Sequence, residues 1–246
     1  MGKLLNTKIY ESSEKLCEAL AEAIAADIDN TLGEQDRFDL ALAGGDTPGP
    51  LYSRLAEDYR DKITWRKIRF FWSDERYVPY SDPHSNYGLA KMTLLDKVPA
   101  VPSRIFPMPT SYEDPAAASD AYEIILKSQF DSEWPHFDLA ILGLGDDCHI
   151  ASLFPHTASL GEKVRWVVTT LSPREPVQRL SLTLPVINAS RKIYFMVTGD
   201  RKAEAVARTL SKERIEFENC PAGEVHPTDG ELIWWLDRAA AKLIKR

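Results

Sequence analysis

Asp138-Leu139-Ala140-Ile141-Leu142-Gly143-Leu144-Gly145 is the stretch whose reading decides the fold. After one aspartate, four apolar residues run without polar alternation, and glycines that permit a sharp turn end the run. That pattern predicts a short strand buried on both faces. Strands of this kind belong to parallel sheets covered by helices on either side. Two aspartates, Cys148 and His149 follow at once, placing titratable groups beyond the strand's carboxyl end at what reads as a helix start.

The rest of the chain repeats the theme. Leu16, Leu20, Ile24 and Ile28 recur every four residues, with Cys17 beside them, and predict an amphipathic helix. Phe38 to Ala43 is a second buried strand, closed by Gly44-Gly45. Pro48 suits a first helical position, with Asp46 or Thr47 as cap, so a helix is expected to about Tyr59. Ile68 to Trp72 reads as a strand breaking into a polar loop, Ser73-Asp74-Glu75-Arg76, and Ser85 caps a helix through Leu95. The proline-rich stretch from Pro99 to Pro109 is a connection. Pro115 to Phe130 reads as helix, Arg165 to Leu171, Gln178 to Leu184 and Ile193 to Thr198 as strands, and Asp200 to Leu210 as helix. Leu232 to Trp235 is a last strand before a helix from Asp237. Such alternation predicts one α/β domain over residues 1–246, a three-layer α/β/α architecture with a mostly parallel, Rossmann-like sheet. Ligands of such sheets bind beyond the carboxyl ends of the strands. The loops after the Phe38, Ile68, Asp138 and Ile193 strands are therefore expected to converge.

Composition excludes several function classes. The net charge of −7 argues against general nucleic-acid or anionic-membrane binding. There is no apolar run of membrane-spanning length and no uninterrupted signal-peptide core. Cys17, Cys148 and Cys220 are odd in number and widely spaced, which points to free thiols in a reducing, cytoplasmic setting. His84, His136, His156 and His226 form no zinc-binding pattern, and Ser152 lies in no G-x-S-x-G elbow. Gly143-Leu144-Gly145 is no dinucleotide fingerprint, because Cys148 stands where the third glycine belongs. Neither metal nor cofactor is expected.

Four loops carry candidate chemistry. Gly44-Gly45-Asp46-Thr47-Pro48 can offer backbone N–H groups to a phosphate, and fits a plain strand–helix turn equally well. Arg76 can fork onto an anion, although Ser73 to Arg76 alone reads as a solvated loop. In Asp146-Asp147-Cys148-His149, a carboxylate beside an imidazole can fix its tautomer and raise its basicity. Lys202 sits in a first helical turn, where the dipole disfavours a cation unless an anion is bound.

Taken in order, these segments resemble the 6-phosphogluconolactonases, and more distantly the glucosamine-6-phosphate deaminases. The resemblance rests on Leu42 to Pro48, Phe71 to Pro79 with Ser85-Asn86, Asp138 to Gly145, His149 to Pro155, Arg179 to Thr183, Gly199 with Lys202, and Trp235-Leu236-Asp237 with Ala239-Ala240. It implies metal-free hydrolysis of 6-phosphoglucono-δ-lactone, a step of the oxidative pentose phosphate pathway, by a monomer or small homo-oligomer. It also implies roles: His149 as general base, Asp147 orienting it, Asp74 shaping the sugar site, and Gly44, Gly45, Thr47, Arg76, Arg179 and Lys202 holding the phosphate, with Asp46 in the same binding turn.

The chain departs from the family pattern at three positions. Asp46 stands where the family has serine, and repels a phosphate unless it turns away as a cap or pairs with Arg76 or Lys202. Cys148 stands where the family has glycine; a positive φ there costs a cysteine roughly a kcal/mol or more. Ile150 replaces the lactonases' usual threonine and looks deaminase-like, whereas Phe154 replaces the acidic residue of the deaminases. A deaminase, or a sugar-phosphate-binding homologue with altered catalysis, is the alternative expectation.

Overall fold

The computed structural model describes residues 6–211 and 220–244. Six parallel strands form the central sheet: β1 (Asn6–Tyr10), β2 (Phe38–Leu42), β3 (Ile68–Trp72), β5 (Leu139–Leu142), β8 (Lys192–Val197) and β9 (Glu231–Asp237), in the order β1-β9-β8-β5-β2-β3. Every residue of β2, β3 and β5 is buried, as runs without alternation require when both sheet faces are covered. Helices α1 (Ser13–Glu34), α2 (Gly49–Asp58) and α4 (Pro115–Gln129) supply the cover, together with α3 (Asn86–Ala90), α5 (Leu184–Asn188) and α6 (Ala203–Thr209). The apolar stripe Leu16, Leu20, Ile24 and Ile28 of α1 is buried as its spacing predicts.

The expected α/β/α layering with a mostly parallel sheet is what the chain adopts. Strand order reverses at β2, which has β3 on one side and β5 on the other. The two glycine-ended turns thus open side by side at the switch point where such sheets bind ligands.

Five local expectations need correction. The polar loop Ser73 to Arg76 is a strand, β4 (Asp74–Arg76), antiparallel to β7 (Gln178–Leu182). With β6 (Val167–Leu171) these strands make a second, three-stranded antiparallel sheet, so the predicted Arg165 and Gln178 strands do not extend the central one. Pairing rather than hydrophobicity makes β4, and three polar residues carry no periodic signal. The helix after Gly45 has Pro48 as its cap residue and no side-chain cap, so neither Asp46 nor Thr47 serves. No helix begins at His149, because Cys148 (φ 70°) and Ala151 (φ 45°) take left-handed conformations that a right-handed helix excludes. The segment after Asp237 forms turns instead of a helix: Ala240 N–H donates to the Asp237 carboxylate, and Ile244 N–H reaches only to Ala241. Finally, β1 was not predicted. It is a half-exposed edge strand with charged and polar residues on both faces.

At the opposite end from the glycine turns, the sheet is pinned by a buried ion pair. Arg69 on β3 stands across from Asp39 on β2, with Nε to Oδ1 at 2.5 Å and Nη2 to Oδ2 at 2.6 Å. Asp138 accepts the Asp39 N–H at 2.8 Å. Replacing Arg69 by methionine strands the Asp39 carboxylate in the core. The expected loss is about 3–5 kcal/mol of unfolding free energy, read in urea melts, with unchanged activity per folded molecule.

Candidate active site

The loops after β2, β3, β5 and β8 do converge, around a cleft of about 540 Å³. That size suits a small-molecule ligand better than a flat partner surface. Residues 172–175, after β6, close its rim.

His149 projects into this cleft from the turn after β5. Its Nδ1 lies 2.6 Å from Asp147 Oδ1, which also accepts the His149 backbone N–H at 3.1 Å. A carboxylate on Nδ1 selects the tautomer that leaves Nε2 free as a base. Burial works against ionising Asp147, but the hydrogen bond and charge of His149 outweigh it and hold the carboxyl down at about 2. The pair can pack this close only because residue 145 is glycine: a Cβ there would lie 2.0 Å from His149 Nδ1 and 2.5 Å from Asp147 Oδ1. The Phe154 ring covers the imidazole at 4.5 Å between centroids.

Opposite the histidine are the cations. Arg76 on β4 and Arg179 on β7 are direct cross-strand partners. Like charges in that register repel. Arg179 is buried, its pKa is lowered by that burial and by Arg76, and its Nε has no hydrogen-bond partner. An anion placed between the two guanidinium groups would relieve that repulsion and give the Arg179 Nε–H a partner. Arg76 Nη1 donates to the His84 carbonyl at 2.6 Å, which aims the guanidinium across the Gly45 turn. Lys202 also lines the cleft and pairs with Asp146 at 2.6 Å; Arg174 approaches the other oxygen of Asp146 at 3.6 Å. The Lys202 hydrogen bond lowers the Asp146 pKa.

A buried polar network fixes the loops relative to each other. Glu75 is fully buried and its carboxylate accepts four hydrogen bonds: from Arg76 N–H (2.8 Å) and Asn86 N–H (2.7 Å) on one oxygen, and from Tyr87 N–H (2.8 Å) and Ser85 Oγ (3.1 Å) on the other. Burial nevertheless pushes its carboxyl up to about 7. The Asn86 side chain donates to the Asp74 carbonyl at 2.8 Å and accepts the Gly45 N–H at 3.3 Å. It lies where a Cβ on residue 44 would be, 1.8 Å from its Cγ, so only glycine fits at Gly44. Asp74 in turn accepts Ser152 Oγ at 2.7 Å.

Every sequence-predicted site residue lines the cleft: His149, Asp147, Asp74, Gly44, Gly45, Asp46, Thr47, Arg76, Arg179 and Lys202. Asp46 does not cap α2, and the two cations that could have neutralised it are engaged elsewhere, Lys202 by Asp146 and Arg76 by His84; its side chain is exposed at the mouth. Asp74 is committed to loop-tying hydrogen bonds. Sequence reasoning missed Glu75, Asn86 and Ser152 as the network's members, and Asp146 and Arg174 as the partners around Lys202. A charged residue directly after a buried strand was a signal for Glu75; nothing local marked Arg174. Among the described residues no group of three metal-ligating side chains gathers, and no helix is long and apolar enough to cross a membrane.

Comparison with known proteins agrees with this geometry. Residues 11–234 match the family model described as glucosamine-6-phosphate isomerases/6-phosphogluconolactonase. A 6-phosphogluconolactonase of Synechocystis sp. is 39% identical over 233 residues, 94% of this chain and 94% of that protein. The crystal structure of a 6-phosphogluconolactonase from Thermotoga maritima superposes with a TM-score of 0.83 at 30% identity, covering 95% of this chain and 99% of that one. A Trypanosoma brucei 6-phosphogluconolactonase structure gives 0.87 at 28% identity, covering 98% and 99%.

Two outcomes follow for the site residues. Glu75→Gln sets amide hydrogens against groups that all donate, and is expected to lose about 2–4 kcal/mol of stability and to speed amide exchange at Asn86 and Tyr87. Asp147 has a folded pKa below its ordinary value of 3.8, so its contribution is present above about pH 4 and lost as the pH falls toward about 2. The gap in urea midpoint between wild type and Asp147→Asn should shrink across that window; an unchanged gap would mean the pair adds no stability.

Proposed function

The chain belongs to the family of glucosamine-6-phosphate isomerases and 6-phosphogluconolactonases, and from that premise we propose that it hydrolyses 6-phospho-D-glucono-1,5-lactone to 6-phosphogluconate, with His149 as general base. One observation carries the reading: two arginines held face to face, one with an unpaired buried N–H, share a cleft with a histidine–aspartate pair. The first arrangement asks for an anion and the second for a proton.

In this reading the 6-phosphate lies among Arg76, Arg179, Lys202, Thr47 and the N–H groups of the Gly44-Gly45 turn. His149 Nε2 takes a proton from water as its oxygen attacks the lactone carbonyl. The tetrahedral intermediate then collapses with cleavage of the ring C–O bond, and the imidazolium returns the proton to the departing ring oxygen. Asp147 holds the imidazole tautomer and stabilises its charge. Asp74, bonded to Ser152 and Asn86, positions the loops around the sugar. The chemistry needs no metal or organic cofactor. A cytoplasmic enzyme, acting alone or as a small homo-oligomer, fits three unpaired thiols. Phe154 favours hydrolysis over deamination, since it sets an apolar wall against His149 where deaminases have an acid.

Purified protein should accelerate hydrolysis of the lactone, and His149→Ala should lower kcat by about 10²–10⁴-fold. No acceleration, a His149→Ala variant with full activity, or ammonia release from glucosamine 6-phosphate would each sink the proposal. Asp46→Ser removes an exposed carboxylate from the mouth and should lower KM by roughly two- to fivefold with kcat nearly constant. A rise in KM would show instead that Asp46 contacts the substrate.

A further inference from the structure

Cys148 and Cys220 come from distant parts of the chain and meet at the end of α6. Both are buried, at 0% and 3% exposure, and each thiol lies close enough to shift the other's ionisation. The last turn of α6 brackets them. Cys148 Sγ lies 3.7 Å from the Ala205 carbonyl, and Thr209 Oγ1 lies 2.8 Å from that carbonyl and 3.4 Å from Cys220 Sγ. The two backbones are joined as well, Ala222 N–H donating to the Cys148 carbonyl at 3.0 Å. Cys148 occupies a φ of 70°, where glycine would sit without strain, so its side chain is held at a conformational cost. It is also the neighbour of His149.

We propose that Cys148 and Cys220 form a dithiol site that a small hydroperoxide oxidises to a disulfide, and that this bond disables the histidine loop. The step is written from Cys220, whose Sγ lies 3.4 Å from Thr209 Oγ1 at the end of α6; attack through Cys148 balances in the same way. Attack of the Cys220 sulfur on the peroxide breaks the O–O bond, giving a sulfenic acid and releasing hydroxide, which is protonated to water. Cys148 sulfur then attacks Cys220 sulfur; the S–O bond breaks and the Cys148 proton leaves with the hydroxyl as a second water. Two thiols lose two electrons, and one hydrogen peroxide gains them. Burial of both sulfurs selects a small oxidant over a bulky protein disulfide.

A disulfide holds its sulfurs at about 2.05 Å, well inside hydrogen-bond distance, so closure must draw Cys148 toward Cys220. Cys148 N–H is bonded to the Gly145 carbonyl at 3.0 Å, and Gly145 is the residue against which the His149 ring packs. Arg76 and Arg179 stand on the other sheet and stay in place. Oxidation should therefore depress kcat far more than it raises KM.

The test treats the reduced full-length chain with a few equivalents of hydrogen peroxide and follows intact mass, peptide map and lactone hydrolysis. Expected are a mass loss of about 2 Da, a Cys148–Cys220 cross-linked peptide, and a fall in kcat of roughly tenfold or more that dithiothreitol reverses. Cys220→Ala and Cys148→Gly should keep basal activity and resist the loss, and Cys17→Ala should respond as wild type does. Three thiols still free after treatment, a gain of about 32 Da without a cross-link, a bridge to Cys17, or equal inactivation of Cys220→Ala would overturn the proposal. A cross-link that leaves kcat unchanged would overturn its coupling to the histidine. Only the activity readout rests on the lactonase reading; were the chain to lack that activity, mass would still report the bond. NMR signals of the His149 ring would then report the coupling, which fails if they do not shift.

Discussion

A single buried carboxylate, that of Glu75, holds the site in shape. Its four donors come from its own strand and from the loop that starts α3, so it closes the 73–87 excursion upon itself. Asn86, fixed by that closure, reaches the Gly45 N–H on one side and Asp74 on the other, and Asp74 reaches Ser152 beyond His149. Three loops that belong to three strands thereby share one hydrogen-bonded frame. An isolated carboxylate in such a place is costly, which is why burial raises its pKa even against the N–H groups that favour its charge. The frame also explains two glycines, Gly44 beneath Asn86 and Gly145 beneath the His149–Asp147 pair, where a side chain would occupy the space of the network itself.

Electrostatics divides the cleft into two territories. The net charge of −7 disfavours an anionic substrate at long range, so capture must be local. The smaller sheet achieves this by placing Arg76 and Arg179 in register, a repulsive pairing held by backbone hydrogen bonds. Lys202 is restrained by Asp146, a carboxylate on the same turn that carries the histidine pair, so the cation and the base are linked through four consecutive residues of one loop, Asp146 to His149. Cys148 lies between Asp147 and His149, and its carbonyl accepts the Ala222 N–H at 3.0 Å, which gives that loop a second anchor.

Much of this was legible in the residues. Unbroken apolar runs ending in glycine located β2 and β5, four-residue spacing located α1, and the loops beyond those strands did meet. The misses share a cause. β4 is a strand by pairing and not by composition, β1 is an edge strand exposed enough to lack a pattern, the turns around His149 depend on left-handed residues, and the one after Asp237 on a carboxylate that also accepts the distant Gly199 N–H. Asp46 or Thr47 was expected to cap the next helix; the helix begins past both and leaves Asp46 exposed.

The sequence by itself determined the layered α/β class, the buried face of α1, and the strand ends at which chemistry would gather. Those features depend on local periodicity and on glycine's freedom to turn, which are properties of neighbours along the chain. Only the tertiary structure decided that Arg76 faces Arg179, that Glu75 is buried rather than solvated, and that Cys148 meets the segment of Cys220 and Ala222. Each of those is a pairing between residues brought together by the fold, and its energy comes from desolvation and contact, which exist only once the chain has closed around them.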